Sequence, residues 1–90
     1  MQLRNLLAAH RAYPQAARQR RQEGVVSIAL TIDRAGQLAG IRLYEASAFP
    51  LLDEAALAMA RRAAPFPPPP LEPHQRQAVF VVPVGFALQE

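Results

Sequence analysis

The sequence predicts an α+β domain built as a split β-α-β unit. Three observations carry that prediction. Apolar residues alternate with period two over residues 25–32 and again over 78–88. A helical stretch, FPLLDEAALAMARRAA, lies between them, and Asp33-Arg34-Ala35-Gly36 ends the first alternating run as a reversal. Ninety residues, 51% of them apolar, suffice for one domain with a modest core.

Residues 1–12 carry Leu3, Leu6 and Leu7 at roughly helical spacing and read as an N-terminal segment, a short helix or a linker remnant, ahead of a domain over 13–90. A helix is expected from Pro14 to Glu23. Pro14 suits the first helical position, where a missing N–H costs nothing, and Gly24 suits a left-handed terminating residue. From Val25 the period becomes two. Val26, Ile28, Leu30 and Ile32 share one face, and Val25, Ser27, Ala29 and Thr31 share the other. Gly36 is expected to take the positive φ of a hairpin loop. The second strand then runs over 38–46, with Ile41 and Leu43 inward and a bulge at Gly40.

The next helix starts at Pro50. Asp53 and Glu54 in its first turn and Arg61 and Arg62 in its last suit the helix dipole. Leu52, Ala55, Ala56, Met59, Ala60 and Ala63 form a narrow, Ala-rich apolar stripe that can lie close against a sheet. Pro67 to Pro70 fit neither helix nor central strand and hold an extended polyproline conformation. A ligand for a proline-reading domain is one reading of that run; a stiff spacer returning the chain to the sheet is the favoured one. The last strand has Phe80, Val82, Val84, Phe86 and Leu88 inward.

A strand-helix-strand crossover is right-handed and its two strands run parallel. With the first strand between them and antiparallel to both, the result is a three-stranded mixed sheet of order 2-1-3 with two helices packed on one face. The opposite face, with Ser27, Ala29, Thr31, Val79, Val81 and Ala87, is small and half apolar, and residues 1–12 are a candidate cover for it.

Composition narrows the function. There is no Cys, hence no disulfide framework or thiolate metal site. The net charge of +3 comes from ten basic residues that are all Arg, and Arg18, Arg20, Arg21, Arg61 and Arg62 read as solvated helix faces and ends. No run reaches the ~18 to 20 apolar residues that span a bilayer, and Arg4 and His10 interrupt the N-terminal stretch, so a secretion signal is not expected. His10 and His74 lie far apart, no nucleophile has a neighbouring base, and adjacent helical carboxylates such as Asp53 and Glu54 do not face one another. The expectation is a binding domain, not an enzyme, with no cofactor and no metal. A small basic RNA-binding module is the alternative from another class, but such sheets stack bases on central-strand aromatics, and the first strand has none. Nucleic acid is not an expected partner.

Pro83 points to the site. A proline cannot donate to a ladder, so it belongs on an edge strand with the missing donor facing outward. Alternate residues share that direction, which turns the backbone groups of Val79, Val81, Gly85 and Ala87 toward an open edge that carries no Lys or Asp to discourage pairing.

YPQAA, EGVVSIALTIDRAGQLAGIRLYEAS, LLDEAALAMARRAAPFPPPP and VPVGFAL, in this order and spacing, resemble the C-terminal domain of the TonB energy-transducer family over residues 13–88. The family usually shows Ser-Ser-Gly after the second strand, where this chain has Ala46-Ser47-Ala48, which leaves the way into the helix open. The resemblance implies a periplasmic domain, tethered in its parent to the inner membrane by an N-terminal helix and a Pro-rich linker, so that the chain reads as an excised domain. It further implies coupling to an inner-membrane motor complex through that anchor, and acceptance of a short peptide, the TonB box of an outer-membrane transporter, as an added strand. By position the accepting strand is Ala78 to Leu88, which brings in Val82, Pro83 and Val84. Residues just ahead of the Tyr-Pro pair also approach the box in the family, adding Arg11 and Tyr13, although His10-Arg11-Ala12 matches no motif. A TolA-like domain, or one that engages a regulator or peptidoglycan, is the alternative within this class. A strand-exchanged homodimer is a further partner that the open edge admits.

Overall fold

The computed structural model describes residues 13–88. The elements are α1 (Gln15–Gln19), β1 (Gly24–Asp33), β2 (Leu38–Glu45), α2 (Pro50–Ala63) and β3 (Gln77–Phe86). The sheet order is β2-β1-β3, with β1 antiparallel to both neighbours. β2 and β3 share a direction but never meet, so both ladders are antiparallel and the sheet is antiparallel, not mixed. The expectations for residues 1–12, Arg11 among them, lie outside the described residues.

One core forms on one face of the sheet. Val26, Ile28, Leu30 and Ile32 from β1 and Val82, Val84 and Phe86 from β3 meet Ala17 of α1 and Leu52, Ala56, Met59 and Ala60 of α2. The small residues on α2 let the helix approach the sheet closely. On the opposite face Ala29 is buried as well, a methyl group on the central strand between its cross-strand neighbours Arg42 and Val81.

Helix α1 is shorter than the sequence suggests. Its end is a Schellman closure in which Arg21 N–H donates to Arg18 O (3.0 Å) and Gln22 N–H to Ala17 O (2.9 Å). The left-handed residue is therefore Arg21, at φ 54°, and not Gly24, which already belongs to β1.

In β2 the register against β1 shifts twice, leaving Ala39 and Tyr44 as extra residues. The first bulge thus falls one residue before Gly40. A single inserted residue flips every side chain beyond it. This is why Leu38 pairs with Ile32 and joins Ile41 and Leu43 against the core, although its parity alone would send it outward.

The β1–β2 turn is built around Asp33, whose Oδ1 accepts Ala35 N–H (2.9 Å) and Gln37 N–H (2.8 Å). Gly36, at φ 89°, accepts Phe66 N–H at 2.8 Å and is so close that an added Cβ would stand 2.0 Å from Phe66 O. Phe66 itself is buried at 3% exposure, a core residue that its proline-rich context conceals.

The way into α2 rests on Ser47 and Asp53. Asp53 Oδ1 accepts Ser47 N–H at 2.8 Å and lies 2.8 Å from the Ser47 hydroxyl, which also accepts Phe49 N–H at 3.0 Å. Asp53 is thus more than a first-turn charge suited to the dipole. At 9% exposure it anchors the β2–α2 loop.

Gly36→Ala should cost roughly 3 kcal/mol in chemical denaturation, because it combines a left-handed residue with a backbone clash. Asp53→Ala should cost about 1 to 3 kcal/mol by leaving Ser47 N–H without its acceptor, and Asp53→Asn, which keeps an oxygen there, clearly less.

Candidate functional site

The ladder between β1 and β3 runs from Gly24↔Phe86 to Asp33↔Gln77 without a register shift. Opposed residues in an antiparallel pair alternate between exchanging both hydrogen bonds and exchanging none. Pro83 faces Ser27 and has no N–H to exchange, so Ser27↔Pro83 is a position where the ladder needs no donor. By alternation Phe80, Val82, Val84 and Phe86 pair inward with Leu30, Ile28, Val26 and Gly24, while Val79, Val81 and Gly85 turn N–H and C=O away from β1. Among the described residues, the backbone from Ala78 to Phe86 makes no hydrogen bond outside this ladder, and no strand lies beyond β3.

The other flank of the sheet is different. The two bulges break the outer side of β2, and exposed Arg42 and Glu45 add charge there. Bulges and charges are two of the ways proteins disarm an edge, and a proline such as Pro83 on β3 is a third. β3 has neither bulge nor charge: Ala78 to Phe86 carries no ionisable side chain, and Val79 and Val81 stand 58% and 49% exposed on the outer face. At Gly85 a Cβ would meet nothing within 4 Å, so no neighbour among the described residues demands a glycine there.

Of the residues read from sequence, Val79, Val81, Pro83 and Gly85 line this flank, whereas Val82 and Val84 are buried on the core face. The strand ends at Phe86, two residues short of the expectation. Ala87 lies just past the ladder, and Leu88 N–H reaches Glu23 Oε1 at 3.3 Å. Tyr13 sits at the same end. Its ring meets Phe86 edge to face (centroids 5.4 Å apart, 80°), its hydroxyl donates to Gln22 O, and the Arg18 guanidinium lies 5.3 Å above it. That Arg18 contact was not legible in sequence; an aromatic and an Arg five residues apart, across a helix start, give no periodic signal. Among the described residues no group of His, Asp and Glu could hold a metal ion, and no helix is long and apolar enough to cross a membrane.

Fold and flank together define a small split β-α-β domain with one regular open sheet edge. The profile of the Gram-negative bacterial TonB protein C-terminal family matches residues 9–88, and the chain belongs to that family. Protein TonB of Pasteurella multocida (strain Pm70) is 37% identical over 68 residues, which are 76% of this chain and 27% of that protein. The chain thus spans about a quarter of the length of that curated relative. Two NMR solution structures of the Helicobacter pylori TonB C-terminal domain, both 29% identical, superpose over 87% of this chain. Their TM-scores are 0.72 and 0.69, over 69% and 80% of the respective chains.

The two directions within β3 should separate under proline substitution. Val82→Pro removes an inward donor and should cost on the order of 3 kcal/mol by urea denaturation. Val81→Pro, whose N–H faces outward, should stay within about 1 kcal/mol of the parent.

Proposed function

We propose that the chain is the periplasmic, transporter-facing domain of a TonB-type energy transducer, and that it accepts the TonB box of an outer-membrane transporter as a fourth strand on the free flank of β3. The parent protein would be anchored in the inner membrane and coupled there to a motor complex through a segment N-terminal to this domain. The observation that carries the reading is the contrast between the two sheet edges: β2 is bulged and charged, β3 regular and uncharged.

The chemistry is strand addition, in which main-chain hydrogen bonds supply affinity and side-chain contacts supply choice. Val79, Val81 and Gly85 offer N–H and C=O, and Pro83 offers C=O. About five bonds at a net ~0.5 to 1.5 kcal/mol each amount to roughly 3 to 8 kcal/mol, from which the ordering of the guest peptide is subtracted. Binding of that size is reversible, as a transducer that must release its partner requires. Gly85 fits the same reading, since a glycine within a strand suits the close approach of another backbone. A strand-exchanged homodimer would use the same flank and compete with the peptide. Base stacking on central-strand aromatics is not favoured: the outer face of β1 presents Ser27, Ala29 and Thr31, Phe86 is buried, and the exposed Tyr44 lies on the edge strand β2.

Titration of isotope-labelled domain with TonB-box peptides should shift amides from Gln77 to Leu88 and their neighbours on β1. Val81→Pro should abolish those shifts while leaving the denaturation midpoint in place. Binding that survives Val81→Pro overturns the reading, as do shifts confined to the Arg residues and sensitive to salt.

A further inference from the structure

The connection from α2 to β3 makes an excursion that the crossover does not need. At Phe66 the chain has already reached the β1–β2 turn, where Phe66 N–H donates to Gly36 O. β3 starts at Gln77, opposite Asp33 of that same turn. Residues 67–76 therefore leave the turn and come back to it.

Both ends of the excursion are held. Burial of the Phe66 side chain fixes the first. Arg34 fixes the second: its Nη2 reaches the carbonyls of Glu72 (2.8 Å), Pro73 (3.1 Å) and Gln75, and its N–H donates to Arg76 O (3.1 Å). Between the clamps lie four consecutive prolines. Proline locks each φ near −65°, and Phe66 to Pro69, as residues preceding proline, are disfavoured in the helical region, so the run is built for a left-handed polyproline helix. Pro67, Pro68 and Pro70 are exposed, and Pro69 is half-buried. The carbonyls of Pro67 to Leu71 have no hydrogen-bond partner among the described residues, and the prolines bring no N–H of their own.

We propose that this ridge, Pro67 to Leu71, is a second docking surface, separate from the flank of β3, for a protein module with an aromatic-lined groove that reads polyproline helices. The chemistry of the ridge specifies that partner. Flat pyrrolidine faces call for aromatic rings, and a row of acceptors without donors calls for indole N–H or phenol O–H groups, which Trp and Tyr supply together. A polyproline helix clamped at both ends has little conformational entropy left to lose on binding.

The test uses a WW, SH3 or EVH1 domain selected beforehand because it binds the free peptide PFPPPPLE. Titrated into the isotope-labelled chain, it should shift the amides of Phe66, Leu71 and Glu72, leave those of the β1–β3 ladder in place, and bind at least as tightly as it binds the peptide. Pro67→Ala/Pro68→Ala/Pro70→Ala should weaken binding by about tenfold or more. Arg34→Ala, which frees one end but keeps every ring, should weaken it several-fold, with the ladder amides serving as a check that each variant is folded. No binding by the chain at concentrations that saturate the peptide overturns the proposal. So does binding that the triple variant leaves unchanged.

Discussion

The structure depends on one constraint: Pro83 occupies a ladder position that needs no donor, within a β1–β3 register that never slips. That register sends Val82, Val84 and Phe86 into the core together with Val26, Ile28, Leu30 and Ile32. A slip of one residue would turn the large side chains outward and leave a partner carbonyl on β1 facing the proline ring. Packing on the inner face and the direction of the free backbone groups on the flank are therefore one decision. Nothing that alters the second can leave the first untouched.

The β1–β2 turn has a comparable reach. Asp33 shapes it, Gly36 gives the room for Phe66 to close onto the core, and Arg34 gathers the carbonyls that lead into β3. A short hairpin loop thus organises both ends of the longest irregular segment in the described chain. The Ser47–Asp53 pair does similar work at the N-terminal end of α2, fixing the approach of the loop over 46–49 to the helix.

What could be read from sequence follows from what is periodic or local. The alternation in β1 and β3, the stripe on α2, the positive φ of Gly36 and the outward sense of Pro83 are each set by neighbours one to four residues away, and all were legible. That β3 lies at an edge was legible for the same reason, since a proline within an alternating run belongs on an edge strand. The rest depends on distant partners. That Arg21, not Gly24, closes α1 is decided by where β1 must begin. The bulge at Ala39 is decided by Ile32 needing Leu38 opposite it. Phe66 and Arg34 look like loop residues until the turn and the connection meet in space, and Asp53 looks like a dipole charge until Ser47 is beside it.

The bulges at Ala39 and Tyr44 bear on self-association as well as on packing. With one side of the sheet spoiled for pairing, the described residues leave at most one regular edge, that of β3, for another strand. Two copies that met flank to flank would have no second regular edge to offer, so pairing through strand edges would stop there instead of growing into a filament. An irregular β2 thus limits how far a sheet of this kind could be extended by pairing at its edges.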